Sequence, residues 1–248
     1  MNAFFAVLRR ELFQFFLTPL AWVLGTAFLL LQGMHFYVLV DHFSRQRAFD
    51  GDTPIHAFFG ETVVLYVILF LVLPAMTMRS FSEERRSGTV ETLLTAPIRP
   101  VALVLAKYLA TLIVYVALFT PTVLYLFIVG RTGTVDWGAV RASYFGVFLI
   151  GAMHLAIGIF MSALAKSQFV AFVTTAMIVL GQFVLGLSEI DATRGSLTQR
   201  IASHVSIWVH MNDFASGVVD SRHVVFTLSF AALALFLTTR AVESWREG

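Results

Sequence analysis

The chain has 248 residues, of which 58% are hydrophobic and only 13% are charged, with a mean hydropathy of +0.82. A water-soluble domain carries about a quarter charged residues, so an ordinary soluble globule is excluded. The 25 Phe exclude intrinsic disorder, the absence of Cys excludes a disulfide scaffold or thiolate-zinc module, and a net charge of +2 is too small to imply nucleic-acid binding.

Residues 1–16 read as an interfacial helix. Phe4, Phe5, Leu8, Leu12, Phe15 and Phe16 recur at helical spacing while Arg9, Arg10 and Gln14 fall elsewhere, and the chain is expected to turn inward at Thr18-Pro19. The arginines follow an apolar start and no Ala-x-Ala site appears, so this first segment is expected to be retained. The plainer alternative is that it merely flanks the first span.

Charge-free windows then run over 12–40, 62–78, 108–130, 142–165, 167–188 and 223–239. Each reaches or approaches the roughly 17 to 25 residues that carry a helix across hydrocarbon, where every backbone amide must be paired within the protein. The windows predict an all-α membrane protein with six transmembrane helices over 17–40, 62–78, 102–130, 142–165, 167–188 and 223–240. Six buried core helices with no charged face would have no protein to bury them.

Between the spans lie an outer loop at 41–61, an inner segment at 79–100, a short outer loop at 131–141, an inner turn at Lys166 and an extracytoplasmic segment at 189–222. The last contains an apolar stretch, 201–214, that is too short to cross but can form re-entrant helical stubs. No linker or repeat divides the chain, so residues 1–248 form one membrane domain. With the N-terminus inside, the inner segments hold 10 of the 17 basic residues and the outer ones 7, which places both termini in the cytoplasm.

The inner segment between spans two and three reads RSFSEERRSGTVETLLTAPIRP. Ser80 and Glu83 have capping-box spacing, which predicts a short helix carrying Glu83, Glu84, Arg85 and Arg86. Gly88 can end it in a left-handed turn, and Thr89 can cap a second short helix with Glu91 near its positive end, stopped by Pro97 and Pro100. Such a rigid charged element can pass force to a soluble partner, or it is a solvated loop whose Glu and Arg pair with each other.

Inside the spans, His154 and Gln182, with Gln32 and His35 in the first span, either line a translocation route or hydrogen-bond between helices. Ala152/Ala156 and Gly158/Ser162 have the small-xxx-small spacing of close helix contacts. Pro74 and Pro121 are expected to bend their helices. No Asp or Glu lies in any window, which leaves an intramembrane enzyme without convergent catalytic groups or a metal set.

The run EERRSGTVETLLTAPI, followed by Lys107, resembles the signature of ABC-2-type permeases, the transmembrane subunits of ABC exporters. The resemblance covers essentially the whole chain. It implies an N-terminal interfacial helix, six spans, a cytoplasmic coupling helix between spans two and three, and short re-entrant helices between spans five and six. The closing pattern of His210, Phe214, Gly217, Val218, Asp220 and Arg222, with Arg240 and Glu243 after the last span, is most similar to permeases associated with gliding motility and nitrous-oxide-reductase maturation.

By this resemblance Glu83, Glu84, Arg85 and Arg86 are coupling contacts to an ATPase, with Gly88, Thr89 and Glu91 shaping the turn behind them. A phosphate-cradling G-x-x-x-x-G-K-[ST] loop is absent, since Lys107 and Lys166 both follow Ala. The chain is therefore expected to be no enzyme itself and to hold no cofactor or metal, with ATP and Mg bound by a separate ABC ATPase present in two copies. A second permease copy or related permease, and a periplasmic or membrane accessory protein, are the other implied partners. The implied location is the bacterial inner membrane. The implied function is ATP-driven export or force transmission; a channel or scaffold without an ATPase is the alternative.

Because the chain has no native thiol, single cysteines report its topology. Cys at Ser87 is expected to resist a membrane-impermeant reagent in intact cells while Cys at Asp50 reacts, and labelling at Ser87 would reverse the orientation.

Overall fold

The computed structural model describes residues 3–45, 54–60, 63–89, 98–132, 135–191 and 204–247, and every regular element among them is helical. In chain order these are α1 (Ala3–Leu17), α2 (Pro19–Arg45), α3 (Pro54–Phe59), α4 (Val63–Thr77), α5 (Ser82–Arg86) and α6 (Pro100–Phe119). They continue with α7 (Val123–Thr132), α8 (Trp137–Leu164), α9 (Gln168–Asp191), α10 (Ile207–Ala215) and α11 (Ser221–Glu247). Six segments are long and apolar enough to span a bilayer: Pro19–Arg45, Ile55–Thr77, Pro100–Arg131, Trp137–Leu164, Gln168–Gly186 and Ser221–Trp245. The chain is a multi-pass helical membrane protein.

Local chemistry sets the helix ends. Thr18 closes α1 by donating to the Phe15 carbonyl, and Pro19, whose missing N–H is no loss in a first turn, opens α2. Pro100 opens α6 in the same way, and Pro121 sits in a single 3-10 turn, Thr120–Thr122, that separates α6 from α7. Asp136 caps α8 by accepting from the amides of Gly138 and Ala139, and Ser206 caps α10 through the amide of Val209. Regular α-helix is therefore interrupted at Thr18-Pro19 and at Pro121.

The spans are not equivalent. The second and fourth are 62% and 67% buried within the chain, whereas the other four lie between 17% and 28%. Span four, α8, is the hub, packing against α4, α6, α9, α10 and α11. Glycines let it accept neighbours closely: a Cβ at Gly151 would collide with the Tyr115 ring, at Gly146 with Phe214, and at Gly158 with Thr77. The outer spans turn Trp22, Leu30, Met34, Phe127, Met177 and Phe236 outward, an apolar surface suited to lipid rather than water.

The segment expected as an outer loop at 41–61 is different in two respects. α2 runs on to Arg45, and Ile55, Phe58 and Phe59 of α3 are buried beneath it against α2, α8 and α10. The charge at Glu61 ended the apolar window, yet the short run before it has enough aromatic area to pack as a plug. At the same end of the bundle, Trp208 of α10 stacks on Tyr66, and His223 Nε2 lies 2.7 Å from Asp213 Oδ2, tying α10 to α4 and α11.

Overpacking the α4–α8 contact is expected to be costly. Gly158→Val should lower stability by about 1–3 kcal/mol, read as a reduced thermal unfolding midpoint in detergent, while Gly181→Ala, where a Cβ meets open space, should not.

Candidate functional site

The charged segment after α4 is held by a buried side chain. Phe81 is fully buried in a cluster with Leu103, Val104, Ile159, Ala163 and Val242, and Trp245 of α11 meets its ring edge-on at 5.9 Å. This fixes where the five residues of α5 begin, and the predicted capping box does not form. The N-cap position is Phe81, without a side-chain cap, and the amides of Phe81 and Ser82 instead donate to Ser162 Oγ of α8 at 3.0 and 3.1 Å. Ser162 in turn donates to the Met78 carbonyl. A tertiary partner has displaced the local one because burial of Phe81 turns these amides toward α8.

The two helix ends serve one another. Arg85 Nη1 donates to the carbonyls of Ala163 and Leu164 at 2.9 and 3.1 Å, and its guanidinium lies 5.0 Å from the Trp245 ring. The last carbonyls of α8, the negative end of its dipole, thus receive a cation from the helix whose first amides α8 caps.

Glu84 faces the other way along the bundle. Lys107 Nζ, 2% exposed, donates to Glu84 Oε1 and Glu11 Oε1 at 2.9 Å each. Arg10 Nη2 contacts the same two oxygens at 2.9 and 2.8 Å, so two cations and two carboxylates alternate around a closed ring. Glu11 is the only buried residue of α1. Burial alone would raise its pKa, but Lys107 and then Arg10 hold it below the ordinary glutamate value. The ring joins α1, α5 and α6.

Of the residues singled out in the sequence, Glu83 and Arg86 are exposed and share one face of α5 at i,i+3 spacing, whereas Glu84 and Arg85 are committed inward. Among the described residues Glu83 keeps a loose 3.9 Å contact with Arg79. Gly88 has the positive φ expected of it, +72°. Thr89 is exposed, its hydroxyl 2.9 Å from that of Ser87, and both also reach back to α5 carbonyls. Glu91 and the second short helix lie outside the described residues. Glu11, Arg10 and Ser162 were missed as partners, because each is separated from its contact by 74 or more positions and leaves no local periodic signal.

The polar groups of the spans divide. His154 Nε2 and Gln182 Oε1 are 2.6 Å apart and join α8 to α9, with His154 Nδ1 2.8 Å from the Ile150 carbonyl. His35 is buried, its ring stacked on Phe58 at 4.8 Å, and neither it nor Gln32 has a hydrogen-bond partner among the described residues. At the far end, burial and the adjacent His223 push His210 down to about 4, so it is neutral at physiological pH.

The geometry defines a class: a membrane-embedded helical bundle that holds a small charged surface rigidly at one end. The sequence pattern of the ABC-2 family transporter proteins matches residues 52–217, and the chain belongs to that family. The match takes in the charged segment and α10, and the family consists of membrane components of ABC transporters, which act with an ABC ATPase. No curated protein matches the chain.

Removing Lys107 would leave the buried Glu11 and the partly buried Glu84 with only the half-exposed Arg10. Lys107→Met is expected to destabilise the protein by about 3–5 kcal/mol, and adding Glu11→Gln should recover part of that loss in the same unfolding assay. Because the folded pKa of Glu11 is depressed, its contribution is present above the ordinary glutamate range and is lost as pH falls through the lowered value. Unfolding curves of Glu11→Gln and the parent should accordingly converge in acid.

Proposed function

We propose that the chain is the permease subunit of an ATP-driven transporter of the bacterial inner membrane. A separate ABC ATPase, in two copies and holding ATP and Mg, docks on the charged segment, and hydrolysis there drives export or transmits force through the bundle. Both termini and the charged segment face the cytoplasm in this reading, and a second permease completes the pathway. The closing pattern from His210 to Arg222 supports a place in the subgroup linked to gliding motility and nitrous-oxide-reductase maturation.

The observation that carries the coupling role is the division of labour within α5. Glu84 and Arg85 are fastened to α1, α6 and α8, so the exposed Glu83, Arg86 and the turn at Ser87–Thr89 are mounted on the spans themselves. A push on that surface is passed to spans three and four without a compliant linker. A solvated, self-paired loop would leave Glu84 and Arg85 bonded to one another or to water.

Reversing the free charges tests this. Glu83→Lys/Arg86→Glu is expected to reach the membrane at normal levels, because exposed substitutions of this kind change stability by about 0.5 kcal/mol or less. At a partner interface, like charges brought together cost several kcal/mol, so the co-expressed ATPase should fail to co-purify or to be stimulated. Unaltered complex formation and transport would show that Glu83 and Arg86 are not coupling contacts, and a parent chain that co-purifies with no ATPase would favour a channel or scaffold.

A further inference from the structure

Behind the charged segment, α1, α2, α4 and α6 border a cleft of about 480 Å³. Its two ends differ in chemistry. Arg79, Glu83, Ser87 and Thr89 stand at the mouth, and Leu24, Val72, Met76, Val114 and Leu118 line the depth. Val72 and Met76 are buried while Leu24, Val114 and Leu118 are half-buried, so the cleft opens along the flank of the bundle between α2 and α6. Its apolar part runs along bilayer-spanning helices and its polar mouth lies where α4 ends. The volume falls within the roughly 300–1,000 Å³ of small-ligand sites, and an apolar floor gives water no partners.

The charges select the ligand further. Arg10, Arg79 and Lys107 face Glu11, Glu83 and Glu84 around the site, leaving no net charge. Four of these six satisfy one another in the closed ring. What remains at the mouth is one charge of each sign: Arg79, whose Nε donates to Gln168 Oε1 at 3.3 Å, and the exposed Glu83, 3.9 Å away. A headgroup with a phosphate and an ammonium meets both, whereas a purely anionic headgroup is repelled by Glu83.

We propose that the cleft binds a zwitterionic, amine-bearing phospholipid of the surrounding bilayer, with its phosphate on Arg79, its ammonium toward Glu83, and an acyl chain between α2 and α6. The site goes beyond the coupling role and is tested without it, although it shares Glu83 with the surface proposed for the ATPase. The lipid would fill the space between the charged segment and the spans that segment pushes on.

The full-length chain, purified in mild detergent, is examined by native mass spectrometry with added phosphatidylethanolamine or phosphatidylglycerol. The parent is expected to retain one phosphatidylethanolamine in preference to phosphatidylglycerol, and Arg79→Gln to retain it about tenfold less, the scale of a lost charge-assisted hydrogen bond. Gly25→Leu supplies a second variant: Gly25 lines the cleft and a Cβ there meets only Leu118 Cδ1 at 3.8 Å, so a larger side chain is expected to occupy cleft space. It should exclude both lipids without lowering the unfolding temperature. Retention unchanged in both variants would overturn the site. Preference for phosphatidylglycerol, or loss in Gly25→Leu but not in Arg79→Gln, would overturn the assignment of the headgroup. No ATPase is present in this measurement, so its failure leaves the coupling proposal untouched.

Discussion

A lysine ammonium two turns into a membrane-spanning helix has few ways to exist. Lys107 is 2% exposed, and taking its charge from water costs several kcal/mol unless carboxylates surround it. The carboxylates that do so come from positions 96 and 23 residues away. Satisfying one cation therefore fixes α1 against α6 and sets the rotation of α5. Such a network adds little net stability over well-packed apolar groups; its effect here is positional.

From that rotation the rest of the charged segment follows. With Glu84 turned toward Lys107, Arg85 points at the end of α8 and Glu83 and Arg86 are left exposed, since successive helical residues step by about 100°. Five residues are far below the length at which a helix is stable alone. Its persistence depends on Phe81 in its pocket, on Ser162 at its first amides and on Gly88 at its exit. The segment is rigid because its neighbours are.

Much of this was readable in the sequence, and the limits have a physical cause. The six spans were legible because hydrocarbon excludes charge over a known length, and Gly88 and Pro121 because their backbones admit few conformations. The exposed and inward faces of α5 were not separable, since Glu83 and Glu84 are chemically alike and only the distant Lys107 and Arg10 distinguish them. The Ser80–Glu83 box was a sound local pattern overridden by a tertiary partner. Residues 54–59 looked like loop because a single charge at Glu61 truncated the window, while their burial depends on α10, more than a hundred residues later. His154 and Gln182 could be paired only once α8 and α9 were side by side.

The capping of α5 by Ser162 also bears on how the protein is made. Residues 79–89 leave the ribosome some eighty positions before the serine that receives their amides, and Arg85 precedes the carbonyls of Ala163 and Leu164 by nearly the same interval. Until span four has been threaded to its end, the segment has neither its Ser162 cap nor its α8 anchor, and Arg10 and Lys107 are the charged partners at hand to orient it. The surface carrying Glu83 and Arg86 is therefore completed late, after two further spans are in the bilayer. A chain arrested or misinserted before that point lacks the contacts that finish this surface.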